Sequence, residues 1–343
     1  MNHLTGQLPE VLTNEYCQNI IRRMKEREGE LTGLPHNLII DILVKGTEYL
    51  RLTDNLIKIE PEKKDDDHYF IIVGDLHGQF NDLIKIFDKF GYPTKQHVYI
   101  LLGDYVDRGI DGLEILVTMS ILKLTEPQSI YFLRGNHESL AMNSLYGFTD
   151  EIKSKFPQDY NSVLDACGEF YKSLPLAAVV ANSAFCAHGG IFSRNELTQP
   201  GFIEEINSID RFIDEDSNNP ISLFNQLLWS DPELADGFKK NDFRGVGIVW
   251  GSKQSNLFLQ QNHLKFIIRA HESPEARCIR VRYRLGGMQD GYVQDHCTCE
   301  GGAYTLYSAP CDKVCIQGVI QPCLGAVAVL LYPYNELCFQ QFS

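Results

Sequence analysis

The sequence predicts a mixed α/β (α+β) sandwich with helices on the outside, and two observations predict it. Three apolar runs between residues 69 and 133 each end in a polar, glycine-bearing cluster, and helical periodicity follows the first two. The second half then changes to short β runs separated by diglycines at Gly286-Gly287 and Gly301-Gly302.

The elements follow in order. Ile20, Ile21 and Met24 recur at helical spacing, as do Leu38, Ile39, Ile42, Leu43 and Leu50, with Pro35 placed to start the second helix. Residues 1–53 therefore read as an N-terminal helical segment packed on a main body of residues 54–343. A charged loop from Glu60 to His68 divides them, and its Asp65-Asp66-Asp67 run reads as a solvated turn. Tyr69 to Val73 is a β-branched strand, and Phe80, Leu83, Ile84, Phe87 and Phe90 follow it at helical period. The unit repeats with Val98 to Leu102 and Leu113 to Leu124, then Ile130 to Leu133 adds a third strand. Strands alternating with helices imply parallel pairing, so the clusters project from neighbouring carboxyl ends. Ala177 to Val180 and Ala184 to Ala187 read as a hairpin leading to His188-Gly189-Gly190, and Phe266 to Ile268 delivers Arg269-Ala270-His271-Glu272. The remaining runs, Ala303 to Tyr307 and Ala326 to Leu331, read as antiparallel.

Composition sets limits. Hydrophobic residues make up 44% of 343, which suits a globular chain with a substantial core. No apolar stretch is long enough to span a bilayer, and the start shows no secretion signal, so a cytoplasmic or nuclear protein is expected. A net charge of −14 opposes nonspecific attraction to nucleic acid or to an anionic membrane. An anionic substrate must then be held by local groups. Ten cysteines, six of them from Cys297 onward, lack the paired spacing of a zinc ribbon and read as buried or free thiols.

The clusters carry the chemistry. Gly74-Asp75-Leu76-His77-Gly78, Gly103-Asp104-Tyr105-Val106-Asp107-Arg108-Gly109 and Arg134-Gly135-Asn136-His137-Glu138 supply oxygen and imidazole donors without a thiolate, with arginine beside them. That set suits two cations joined by a bridging carboxylate, for which Asp104 is the candidate. Asp75 and His77 can grip one ion, and Asn136, His188 and His271 can complete the other. A water shared between the ions would lose proton affinity and attack phosphorus at neutral pH. Arg108 and Arg244 can hold phosphoryl oxygens as planar forks, with Asn136 beside them. His137 is the candidate general acid and Asp107 its orienting partner. Each piece alone is ordinary, since an Asp-x-His turn or a helix cap would look the same. Their joint occurrence at strand ends is not.

The strings GDLHGQF, GDYVDRG and LRGNHES, followed by HGG, LLWSDP, RGVG, RAHE and YSAP, resemble the metallo-dependent serine/threonine protein phosphatases from about residue 70 to about 310. The resemblance implies a calcineurin-like, four-layer αββα sandwich and a dinuclear centre of manganese, iron or zinc, manganese being expected. It implies the ligands Asp75, His77, Asp104, Asn136, His188 and His271, phosphate contacts from Arg108 and Arg244, and leaving-group protonation by His137 with Asp107. It also implies phosphoprotein substrates and allows a regulatory protein partner. MNSLYGF and EIKSKF are similar to the type-five and EF-hand branches; RAHESPEAR, LGGMQDGYVQDH and RGVGIVWG are more similar to the plant type-seven branch. After Ser308-Ala309-Pro310 the chain departs from the family pattern, with Cys311-Asp312 in place of a tyrosine-bearing pair. The rival readings are a phosphatase for small phosphoesters or dinucleotides and a weakly active scaffold.

Overall fold

A computed structural model describes residues 7–27, 33–62, 67–194, 196–214, 216–279, 287–316 and 319–343. The elements run α1 (Asn14–Glu26), α2 (His36–Arg51), β1 (Leu56–Ile59), β2 (Tyr69–Val73), α3 (Phe80–Phe90), β3 (His97–Leu101), α4 (Gly112–Thr125), β4 (Ile130–Phe132), α5 (Leu140–Tyr146), α6 (Phe148–Lys155) and α7 (Tyr160–Ser173). They continue with β5 (Ala177–Val180), β6 (Ala184–Ala187), β7 (Ser193–Arg194), β8 (Gln199–Pro200), α8 (Leu223–Trp229), β9 (Asp231–Pro232), β10 (Phe238–Lys240), β11 (Ile248–Trp250), α9 (Ser252–Asn262), β12 (Phe266–Arg269) and α10 (Pro274–Ile279). The last strands are β13 (Tyr292–Cys297), β14 (Gly302–Leu306), β15 (Cys311–Ile316), β16 (Val319–Cys323), β17 (Gly325–Leu331) and β18 (Glu336–Phe342).

Two sheets form the centre. One runs β18-β17-β2-β3-β4 and the other β1-β5-β6-β12-β14-β13. Because side chains alternate along a strand, β2 sends Phe70 and Ile72 to one face and Ile71 and Val73 to the other. Phe70, Ile72, Val98 and Ile100 meet Ala178, Val180, Cys186 and Ile268 of the second sheet in the central core. Ile71, Val73, Tyr99 and Leu101 pack under the helices of one outer layer, while Phe185, Ala187 and Ile267 pack under Phe224, Trp250 and Phe258 of the other. Four layers result, as expected.

The N-terminal helices belong to one of those layers. In α4, Gly112 through Lys123 are all buried, so the helix lacks a solvent face and needs cover on its outer side. Ile20, Ile21 and Met24 of α1 and Leu38, Ile39 and Ile42 of α2 share its core cluster. At the start of α1, Thr13 caps the helix, its hydroxyl accepting from the Tyr16 amide at 3.1 Å.

The pairing differs from the sequence expectation in two places. Strand β1 was not anticipated; it joins the second sheet beside β5 in parallel, and the Arg211 guanidinium donates to Asn55 Oδ1 and to the Leu50 and Thr53 carbonyls around the turn before it. The second half is not simply antiparallel, since β12 is parallel to both β6 and β14. The connection from β6 to β12 passes through α8 and α9 and that from β12 to β14 passes through α10 and β13, and diglycines do not reveal either. The β5–β6 hairpin and the antiparallel placement of β17 follow the expectation. Of the acidic turn at 65–67, only Asp67 lies within the described residues, exposed in a turn. Cys17, Cys167 and Cys186 are buried thiols and Cys297, Cys299 and Cys338 exposed ones; the side chains of Cys311 and Cys315 lie outside the described set. No described helix is long and apolar enough to cross a membrane.

Candidate metal centre

Five loops converge at the carboxyl ends of strands from both sheets. The first sheet supplies those after β2, β3 and β4, and the second supplies those after β6 and β12. Their backbones interlock. The Leu76 and His77 amides donate to the Asp104 carbonyl at 3.0 and 2.9 Å, and the Ala270 amide donates to the His188 carbonyl at 3.0 Å. The approach is close enough to require glycine: a Cβ on Gly135 would sit 2.3 Å from the Asp104 nitrogen, and one on Gly103 would sit 2.5 Å from Gly135 Cα. Glu138, fully buried, accepts from the Asp104, Tyr105 and Gly135 amides and ties these two loops together. His77, Asp104, Asp107, Arg108 and His271 all have left-handed backbones, with φ between 42° and 73°. Asp and His enter that region more readily than most non-glycine residues but still at a cost, so the surrounding bonds hold five uncommon backbone conformations together at the centre of the site.

The side chains converge on Asp104. Its Oδ2 faces His77 Nε2 at 3.6 Å and its Oδ1 faces His188 Nε2 at 3.3 Å. One carboxylate therefore addresses two groups of donors. On the first side, His77 Nδ1 is 3.0 Å from the Val106 carbonyl, to which it donates, so Nε2 is left as a lone pair 3.9 Å from Asp75 Oδ2. Both His77 Nε2 and Asp75 Oδ2 are buried without a hydrogen-bond partner. On the second side, His188 Nδ1 lies 3.1 Å from the Leu102 carbonyl, and its Nε2 lies 2.9 Å from Asn136 Oδ1 and 3.1 Å from His271 Nδ1. Asn136 Oδ1 lies 2.7 Å from His271 Nδ1, and the His271 amide donates to Asp75 Oδ1 at 3.0 Å.

Buried acceptors facing one another carry an electrostatic cost. Burial, and then the neighbouring Asp104 carboxylate, push the Asp75 carboxyl up to about 6. Burial also acts on Asp104, but the imidazoles of His188 and His137 outweigh it and hold this carboxyl well below the usual range. Burial, with Arg108 second, drives the His77 imidazole well below its ordinary value; burial and Arg244 do the same to His271. Two orphaned acceptors and a ring of carboxylate, amide and imidazole ligand atoms fit a pair of cations: Asp75, His77 and Asp104 on one side, and Asp104, Asn136, His188 and His271 on the other. Ligand atoms of His77, Asp104 and His137, and of Asp104, His188 and His271, lie within 4.8 Å of one another.

Beside this centre, His137 Nδ1 is 2.7 Å from Asp107 Oδ2, and the Phe148 amide donates to Asp107 Oδ1 at 3.0 Å. The Tyr146 ring packs edge-on against His137, with centroids 5.0 Å apart. Arg108 is exposed and borders a groove of about 180 Å³ with His77, Gln79, Ser273 and Tyr307. Arg244, in the β10–β11 turn, donates to both oxygens of Asp231, Nε at 2.5 Å and Nη2 at 3.2 Å.

All ten residues singled out from the sequence thus lie at or around one centre. Sequence reasoning missed those that hold them. Asp231, which also accepts from Arg269 Nη2 at 3.1 Å and Asn241 Nδ2 at 2.8 Å, was noticed only as part of LLWSDP. Glu138 stands in the sequence only as the last residue of the third cluster, and Asn143 only as part of MNSLYGF.

Residues 68–274 match the calcineurin-like phosphoesterase model. The chain is 33% identical over 300 residues to serine/threonine-protein phosphatase 7 of Arabidopsis thaliana, covering 81% of this chain and 72% of that one. It is 36% identical over 307 residues to serine/threonine-protein phosphatase 5 of the same plant, covering 89% of this chain and 51% of that one, so the chain spans about half the length of that relative. A solved structure of a Saccharomyces cerevisiae protein serine/threonine phosphatase with similarity to human phosphatase PP5 aligns with a TM-score of 0.79 at 27% identity, over 97% of this chain and 96% of that one. The chain belongs to the calcineurin-like phosphoesterase family, among its serine/threonine protein phosphatases.

Proposed function

We propose that the chain hydrolyses phosphoserine and phosphothreonine monoesters in proteins by direct attack of water on phosphorus, using two cations, with manganese the expected metal and iron or zinc the alternatives. One observation carries this reading: the Asp104 carboxylate stands between two donor sets, its Oδ2 facing His77 and its Oδ1 facing His188, where a carboxylate shared by two cations would stand. Two bound cations supply Lewis-acid stabilisation of the phosphoryl oxygens and a water acidified to near neutrality. The chain's own residues do the rest. Arg244, fixed by Asp231, and Arg108, on its exposed loop, hold phosphoryl oxygens for in-line displacement. Asp107 accepts from His137 Nδ1, so the opposite nitrogen, Nε2, faces the reaction centre 4.0 Å from Asp104 Oδ2. As the ester P–O bond breaks and water's oxygen bonds to phosphorus, Nε2 gives its proton to the departing serine or threonine oxygen. The products are the free hydroxyl and inorganic phosphate.

Phosphoproteins are the proposed substrates, and a regulatory protein is a proposed partner. The test is a comparison of a phosphoserine peptide, a small alkyl phosphate and a dinucleotide polyphosphate, each with added manganese. A higher kcat/KM for the peptide supports the reading; preference for either small ester, or no turnover at all, removes it.

A further inference from the structure

We infer that Asn143 is a positioning residue that locks Asp107 and His137 together. The inference rests on the reading of His137 as the general acid. Asn143 is the one fully buried side chain of α5, and its amide nitrogen reaches two acceptors: Asp107 Oδ2 at 3.1 Å and the His137 carbonyl at 2.9 Å. Both neighbours only accept, so the end of the amide that faces them is the NH₂ group. One side chain therefore connects the carboxylate to the backbone of the very histidine it orients. The Asp107 oxygen that receives the imidazole proton receives this second donor too, while its other oxygen is taken by the Phe148 amide. With each oxygen bonded, the carboxylate cannot rotate away from the ring.

Packing does not explain the choice of residue. Asn143 Oδ1 is buried without a partner, a cost that an apolar side chain would avoid. The benefit falls on the acid pair. Asp107 sits on a left-handed backbone, with φ 68°, in the loop after β3, whereas His137 sits in the loop after β4. Apart from the His137–Asp107 bond itself, the Asn143 amide is a direct link between these two residues, and it fixes the direction in which Nε2 points.

Proton donation matters in proportion to the basicity of the leaving oxygen, and this gives a test that a merely structural role would not satisfy. Asn143→Ala, Asn143→Leu and His137→Ala are each loaded with manganese and compared with the native chain for metal content, melting temperature, kcat and KM. The substrates are a phosphoserine peptide and a series of aryl phosphates with increasingly acidic phenols. Both Asn143 variants are expected to lose about 10-fold in kcat on the peptide, with KM within about twofold, and the loss is expected to vanish toward the most acidic phenol. An equal loss on every substrate, no loss, or an effect on KM alone overturns the inference. So does failure of both variants to fold, because that would make Asn143 a residue of the core. His137→Ala separates the two readings: a uniform loss there removes the general-acid assignment itself, whereas a leaving-group-dependent loss there, with a uniform one in the Asn143 variants, removes only the role of Asn143.

Discussion

The two arginines of the site are held in opposite ways. Arg244 is mostly buried, and its guanidinium is fixed by both oxygens of Asp231, which is backed in turn by Arg269 and Asn241. Arg108 is exposed; its backbone amide is anchored to the Tyr146 carbonyl at 3.0 Å, but its guanidinium has no partner among the described residues. A fork whose direction is set before substrate arrives loses little entropy on binding, while a free arm must be ordered at that moment. If both hold phosphoryl oxygens as proposed, the difference predicts that Arg244 sets geometry and Arg108 serves capture.

Three substitutions probe that contrast. The largest effect belongs to Asp231→Asn, which leaves two arginines short of a buried counter-charge; a stability loss of about 3–5 kcal/mol is expected in denaturant unfolding, the cost of breaking a buried pair. Arg244→Lys keeps the charge but not the fork, and kcat/KM on a phosphoserine peptide is expected to fall on the order of 10²-fold, as when a preorganised donor is removed from a transition state. Arg108→Lys keeps what an exposed arm supplies, so its loss is expected to stay within about 5-fold, the scale of an exposed contact of ~1 kcal/mol. Equal losses from the two lysine variants would erase the distinction. Salt sharpens it: raising ionic strength is expected to weaken the Arg108 contribution to KM and to leave the penalty of Arg244→Lys unchanged, since buried pairs are screened less.

The same contrast explains what could be read from the sequence. Asp75, His77, Asp104, Asp107, Arg108, Asn136 and His137 each follow an apolar strand within a few residues, so local periodicity places them at strand ends without knowledge of the fold. His188 and His271 sit behind short strands in the same way. Asp231 offers no such cue, because its importance comes from Arg244, 13 residues away, and Arg269, 38 residues away, and only the folded sheets bring them together. Asn143 sits on a short helix whose other residues face outward or are partly covered, so periodicity does not mark it. The left-handed backbones at Asp104 and His271 are equally silent, since neither residue is glycine and the strain is imposed by neighbouring loops. In the fold, β1 escaped because four residues, Leu56-Ile57-Lys58-Ile59, carry too short a pattern, and the parallel placement of β12 depends on long connections, through α8 and α9 from β6 and through α10 and β13 to β14.

The whole account turns on Asp104 serving two cation sites at once. The direct measurement is the manganese, iron and zinc content per chain, after equilibration with each ion and removal of what is unbound, of the native protein and of Asp104→Asn, read beside turnover of a phosphoserine peptide. Two ions in the native chain, with one or none and a crippled rate in the variant, is the predicted result. A native chain that binds no manganese, iron or zinc, or a variant that keeps both ions and full turnover, would contradict it.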